Sequence, residues 1–387
     1  MSIMQMDQAA VAATYKRFPV EIVSGKGSVV VDPQGKEYID MGSGIGVTAF
    51  GIADEAWQQA VIEQIGKVQH MSNLYYTEPC ARLATMLCEK TGMKKVFFSN
   101  SGAEANECAI KVARKYALQQ HGADHYTIVT LQQSFHGRTL ATLAATGQDV
   151  FHSQFLPLPE GFVSVPANDI EAIKAAAIEH KAAALMLECV QGEGGVRALD
   201  ADYLQAVAAF AKEQDILLIV DEVQAGNGRT GKLYSYMHFG ITPDIISTAK
   251  GLSGGLPLGA TLMSAKVENV LTYGDHGSTF GGNPVCCAAA ISVFGRLTDE
   301  LLAEVMAKGE YIREQLIGAP GVEAVTGLGL MIGIKTTKPA AEVLKTCMDN
   351  GVLCLTAKDK LRLLPALNIP QEVLAKAISV IKAACAE

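Results

Sequence analysis

Residues 216–263 read ILLIVDEVQAGNGRTGKLYSYMHFGITPDIISTAKGLSGGLPLGATLM. Three apolar runs of strand length lie in this stretch. Ile216–Val220 leads directly into Asp221, Glu222, Val223 and Gln224. Ile245–Thr248 leads into Ala249, Lys250 and a turn built on Gly251, Gly254 and Gly255, and Ala260–Met263 follows. Upstream, similar runs at Val96–Phe98, Ile128–Thr130, Phe162–Val165 and Leu185–Leu187 bring the candidate strands to seven. Helix-like segments, including Ala103–Ala117, Asp169–His180 and Tyr203–Asp215, lie between several of them. Alternating β and α over this length indicates an α/β fold with a mostly parallel sheet covered on both faces.

The flanks differ. Residues 20–41 alternate apolar and polar around Gly-Lys-Gly and Asp-Pro-Gln-Gly turns, the pattern of short antiparallel strands. After Asn283-Pro284 a helical stretch leads into a last region, near 300–387, that mixes helices with short strands and reads as a smaller domain.

Composition bounds the function. The chain has 387 residues, enough for more than one core, and 49% hydrophobic residues argue against disorder. Forty acids against 32 bases, with no basic run, exclude a footprint for nucleic acid or an anionic membrane surface. No stretch approaches the roughly 18–20 apolar residues of a membrane helix. The opening MSIMQMDQAAVAATYKRF lacks a basic region followed by an apolar run, so no signal peptide and a cytoplasmic location are expected. Nine cysteines without C-x-x-C spacing and eight histidines without a Cys/His cluster suggest reduced thiols and no metal site.

In open α/β sheets the ligand crevice lies beyond the carboxyl ends of the strands. After Val96–Phe98, small residues (Ser101, Gly102, Ala103) open a helix. They form either a simple N-cap or an anion cradle at the positive end of a helix dipole. Asp221 and Glu222 at a strand mouth call for a cation, with Arg229 or Lys232 as bland partners. Gly226–Gly231 fits G-x-G-x-x-G and leaves a nucleotide-binding alternative open, although two acids precede it and no good helix follows. Lys250 ends an apolar run far from bulk water and must pair, shift its pKa or form an imine. Lysine, acid and anion cradle on one sheet edge are what a pyridoxal phosphate aldehyde requires.

Eight motifs in order carry a resemblance that covers residues 15–367: NLYYTEP (73–79), SNSGAEANE (99–107), SFHGRT (134–139), ECVQGEGG (188–195), DEVQAGNGRTG (221–231), PDIISTAKGLSGGLPLG (243–259), HGSTFGGNP (276–284) and LRLLPAL (361–367). The chain resembles the class III pyridoxal-phosphate-dependent aminotransferases and, within them, the acetylornithine aminotransferase group. The resemblance implies a fold-type I transferase. Residues 49–285 would form the large cofactor-binding domain, and 1–48 with 286–387 a smaller α+β domain. It implies Lys250 as the imine-forming lysine, Asp221 on the pyridinium nitrogen, and Val223 and Gln224 against the cofactor ring, with Gln224 at its hydroxyl. Phe135 would stack on the ring, and Ser101, Gly102 and Ala103 would receive the phosphate. Thr279 would reach the phosphate from a neighbouring subunit, in a homodimer with shared active sites.

Substrate residues follow by the same resemblance. Arg138 and Arg362 match two carboxylate-binding arginines, Glu193 a residue that masks the second when only one carboxylate is present, and Ser278 a substrate contact. The implied reaction moves the terminal amine of N2-acetyl-L-ornithine to 2-oxoglutarate in a ping-pong route of arginine biosynthesis. Ornithine, succinylornithine, succinyl-diaminopimelate and 4-aminobutyrate stand as alternative donors. Three departures from the family pattern are Ile52-Ala53-Asp54-Glu55, Ala225 and Ala366.

Overall fold

In the computed structural model, which describes residues 2–387, all seven apolar runs join one sheet. Its order is Lys95–Ser99, Gly259–Met263, Ile245–Thr248, Leu217–Asp221, Ala182–Leu187, Thr127–Leu131 and Phe162–Val165. Gly259–Met263 runs antiparallel to both neighbours and the other pairings are parallel. The exception has a simple cause. Residues 249–258 are too few for a crossover, which needs about a dozen residues or more, so the chain turns straight back.

The sheet is covered on both faces. Leu217 and Ile219 join one buried cluster with Cys108, Ala109, Val112 and Ala113 of helix Gly102–Gln120. Leu218 and Val220 join the opposite cluster with Leu204, Val207 and Ala211 of helix Ala201–Glu213. Central strands buried on both sides read as unbroken apolar runs, which is why they stand out in the sequence.

The two ends of the chain meet. Ser24–Lys26, Val29–Val31 and Glu37–Asp40 form an antiparallel meander, and Val352–Leu353 adds to it in parallel beside Glu37–Asp40. A second four-stranded antiparallel sheet contains Val322–Leu328, Met331–Thr336, Lys360–Leu363 and Leu355–Ala357. It carries Arg362 toward the mouth of the large sheet. Among the described residues no helix is long and apolar enough to cross a membrane, and no group of three or more His, Cys, Asp and Glu is placed to hold a metal ion.

Segment Gly226–Gly231 is a latch, which closes the nucleotide-binding alternative. Only a four-residue 3-10 turn, Ser235–His238, follows it rather than an α-helix, and its glycines face side chains: Gly226 faces Tyr234, Gly228 faces Leu297, Leu302 and Leu367, and Gly231 faces Met306. Arg229, 2% exposed, donates from Nη1 to the carbonyls of Leu330 (3.2 Å) and Pro365. The loop therefore ties the large sheet to the C-terminal region and leaves no room for a pyrophosphate.

Candidate active site

A cavity of about 430 Å³ opens at the carboxyl ends of the central strands. It is lined by Ser101, Gly102, Ala103, Phe135, Arg138, Asp221, Val223, Gln224 and Lys250, all expected from the sequence, together with Asn106, His136 and Glu188. A larger groove of about 690 Å³ lies between the N-terminal segment and residues 344–355, but none of these groups lines it.

Asp221, 3% exposed, ends strand Leu217–Asp221. Its Oδ2 accepts from Asn106 Nδ2 and meets His136 Nδ1, both at 2.8 Å, and its Oδ1 accepts from the Val223 amide at 2.9 Å. Burial alone would depress the His136 pKa. The hydrogen bond and charge of Asp221, with the charge of Glu188, instead hold it above its ordinary value, which favours the protonated imidazole facing the carboxylate. Glu222, by contrast, turns away from the cavity, as the alternation of a strand demands. It is fully buried and accepts from the Ser235 amide, Ser235 Oγ and the Tyr236 amide at 2.7–2.9 Å. Neither acid pairs with Arg229 or Lys232.

Lys250 sits in a left-handed conformation (φ 45°) in the short turn Lys250–Leu252. Burial lowers its pKa, against the opposing charges of Asp221, Glu193 and Glu188. A lysine so placed loses its proton more readily than one in water and becomes a competent nucleophile. The turn is braced from outside: Asn227 Nδ2 donates to Thr248 Oγ1 and the Ala249 carbonyl, and Trp57 Nε1 donates to the Ser253 carbonyl at 2.7 Å.

The anion cradle is the head of helix Gly102–Gln120. Ser101 caps it, its Oγ accepting from the Glu104 amide at 3.2 Å. The amides of Gly102 and Ala103 are left among the unpaired groups at the positive end of the dipole. Gly102 has to be glycine, because a Cβ there would lie 2.5 Å from a Val223 methyl.

Glu188 holds two cavity loops together. It accepts from the amides of Phe135 (2.9 Å) and Gly192 (3.3 Å). Burial pushes its carboxyl up to about 7, with the charge of Asp221 adding and that of His136 and the two amides opposing. Phe135 lies edge-on to Phe151 (6.1 Å between centroids). Exposed Arg138 stacks its guanidinium over Phe151 at 3.9 Å, so a cation stands at the cavity mouth.

The second arginine is masked. Arg362, 3% exposed, donates from Nη1 to Glu193 Oε1 (2.5 Å) and Gln224 Oε1 (3.1 Å), and Gln224 Nε2 donates to Glu193 Oε1 (3.2 Å). Burial would raise the Glu193 pKa, but the charge and hydrogen bond of Arg362, aided by Gln224 and Lys250, hold it below the usual range. Ser278 and Thr279 do not line the Lys250 cavity of their own chain. They line a separate hollow with His70 and Asn73, and Ser278 Oγ accepts from Asn100 Nδ2 at 3.1 Å.

These residues fit pyridoxal phosphate. Amides at a helix head suit its phosphate, buried Asp221 a ring N–H, Lys250 the aldehyde, and Phe135 and Val223 the two walls of a flat ring. Asn106, His136 and Glu188 lay inside motifs that sequence reasoning quoted without giving them roles. Asn106 had a signal: it falls one helical turn after Gly102, a polar residue at the edge of an apolar face.

The family model for class-III aminotransferases matches residues 10–385. The acetylornithine aminotransferase of Haemophilus ducreyi is 51% identical over 381 residues, 98% of this chain and 97% of that protein. That of Methanocaldococcus jannaschii is 46% identical, covering 92% and 91%. Among solved structures, N-acetylornithine aminotransferase from Stenotrophomonas maltophilia superposes with a TM-score of 0.86 at 34% identity, covering 99% of this chain and 98% of that one. Ornithine aminotransferase from Toxoplasma gondii, which has partial occupancy of PLP at its active site, gives 0.94 at 30%, covering 99% and 93%. A match over nearly the whole chain, joined to a cavity whose groups suit the cofactor, places this protein in the class-III aminotransferase family, enzymes that depend on pyridoxal phosphate.

Proposed function

We propose that this enzyme moves the terminal amine of N2-acetyl-L-ornithine to 2-oxoglutarate, giving N-acetyl-L-glutamate 5-semialdehyde and L-glutamate, as a cytoplasmic step of arginine biosynthesis. The observation that carries the reading is the contrast between the two arginines. Arg138 stands open at the cavity mouth, while Arg362 is buried and paired with Glu193. A donor with one carboxylate needs one free cation, and an acceptor with two needs both. The names of the relatives, acetylornithine aminotransferases at 42–51% identity, point the same way.

When bound, pyridoxal phosphate supplies an electrophilic carbon and a ring that accepts electrons. The chain's residues do the rest. Asp221, held by Asn106 and paired with His136, keeps a negative charge where a protonated ring nitrogen would lie. The Lys250 amine, whose proton burial makes easier to lose, serves as nucleophile and then as the base that moves a proton at the substrate carbon bearing the amine. Arg138 orients the donor through a bidentate contact with its carboxylate. In the second half-reaction Glu193 leaves Arg362, and the two arginines take the two carboxylates of 2-oxoglutarate.

A homodimer with shared sites completes the reading. It is supported by the strong exposure of Leu74 (87%), Tyr76 (105%) and Tyr273 (109%), and by the place of Ser278 and Thr279 in a hollow other than the Lys250 cavity of their own chain. The deciding experiment compares kcat/KM for acetylornithine, ornithine and 4-aminobutyrate with 2-oxoglutarate as acceptor. Acetylornithine should win. A tenfold lead for either rival, about 1.4 kcal/mol in transition-state binding, would overturn the assignment.

A further inference from the structure

Gln224 is expected at the cofactor ring, and each end of its amide also has a partner at the second arginine. Nε2 donates to Glu193 Oε1 at 3.2 Å, and Oε1 accepts from Arg362 Nη1 at 3.1 Å. The same Glu193 oxygen accepts from Arg362 Nη1 at 2.5 Å. The three side chains close a ring, running from guanidinium to carboxylate, from carboxylate to amide nitrogen, and from amide oxygen back to guanidinium. Gln224 is 8% exposed, and Gly192 leaves it no slack, because a Cβ there would stand 2.1 Å from Gln224 Oε1. The amide is thus pinned against the backbone of the loop that carries Glu193.

We propose that Gln224 is a specificity-determining residue: by bridging Glu193 and Arg362 it holds the second cation masked, and so sets how readily the site opens to a ligand with two carboxylates. Opening requires Glu193 to leave. Gln224 then keeps its bond to Arg362 through Oε1 and loses only its bond to Glu193, so a charge-assisted hydrogen bond adds to the cost of opening. A primary amide suits this task because it donates to the carboxylate, accepts from the guanidinium, and carries no charge that would compete for either. A carboxylate in its place would repel Glu193 and occupy Arg362 in every state. A methyl group would bridge nothing. The ligand class comes from the proposed aminotransferase reaction, but the bridge itself is tested by binding alone.

The test titrates the cofactor-loaded wild type, Gln224→Ala and Gln224→Glu by calorimetry with two unreactive probes, glutarate (two carboxylates) and pentanoate (one). Gln224→Ala should raise the affinity ratio of glutarate over pentanoate about tenfold, the size of one charge-assisted hydrogen bond. Gln224→Glu should lower it by a similar factor. In kinetics, KM for 2-oxoglutarate should move in these opposite directions while KM for the amine donor changes alike in both. If Gln224 served only the cofactor, its loss would alter the cofactor absorbance and weaken both probes equally. An unchanged ratio in the two variants therefore overturns the proposal, as does a wild type that binds glutarate no better than pentanoate. Absence of amino transfer by the wild type would count against the proposed reaction and leave the binding ratio to judge Gln224.

Discussion

Asp221 and Glu222 are neighbours in sequence with the same charge, yet they have opposite fates. One faces the cavity against His136, and the other turns into the core. Sequence reasoning placed both acids at the strand mouth. The two-residue period of a strand allows only one of them there, and which one depends on the register. Burial pushes the Glu222 carboxyl up to about 7, against the hydrogen bonds from Ser235 and Tyr236, with Asp221 adding to the rise. Between roughly pH 4.5 and 7 the folded protein thus holds a proton that the unfolded chain has released. The stability tied to that proton is present at the acid end and lost as the pH climbs toward 7. The stability advantage of the wild type over Glu222→Ala, from denaturant unfolding at fixed pH values, should shrink from pH 5 to 7 and then level off. An advantage that stays level over this window would show that the buried group stays ionised. Lys250 gives a second prediction at this scale. Lys250→Ala should lower kcat by about 10²–10⁴ or more and abolish attachment of the cofactor by borohydride, which should bleach and fix it in the yellow wild type.

At the scale of elements, the seven strands were legible because strands buried on both faces carry unbroken apolar runs, and only the direction of Gly259–Met263 needed the structure. The partners of Asp221 were not legible. Asn106 and His136 reach it across 115 and 85 residues of chain, and no local pattern encodes such a meeting. The departure at Ile52–Glu55 has a structural content of its own. Asp54 caps helix Glu55–Ile65 through the Trp57 amide and pairs with Arg296 at 2.7 Å, fixing the helix whose Trp57 braces the Lys250 turn. The Gly226–Gly231 loop left a nucleotide alternative open because glycines that allow close packing spell the same motif as glycines that admit a phosphate. Its Arg229 should matter for stability. Arg229→Met would leave the Leu330 and Pro365 carbonyls unpaired in the core, at about 1–3 kcal/mol each. Denaturant unfolding should therefore show a loss of about 2–6 kcal/mol. A variant within 0.5 kcal/mol of wild type, the usual range for a harmless surface change, would mean that the loop packs without the arginine.

At the scale of the whole molecule, one chain holds Lys250, Asp221 and the helix-head cradle in one cavity, while Ser278 and Thr279 line another beside exposed Leu74 and near Asn73. A two-fold assembly would bury that apolar surface and carry Thr279 of each subunit to the other's phosphate cradle, since an isologous interface repeats every contact twice. Hybrid dimers separate this arrangement from one in which each chain works alone. Lys250→Ala and Thr279→Asp should each be inactive, the first for want of the lysine, the second because a carboxylate would oppose the phosphate. In a mixed dimer with shared sites, one site combines Lys250→Ala with the partner's Thr279→Asp and is doubly damaged. The other combines an intact Lys250 with an intact Thr279. Random reassociation of equal amounts gives half of the dimers as hybrids, each with one sound site, so activity should return to about a quarter of wild type. If every site used the threonine of its own chain, both sites of the hybrid would stay broken and mixing would restore nothing. The recovered fraction thus reads the architecture directly, because only a site built from two subunits can be repaired by pairing two dead ones.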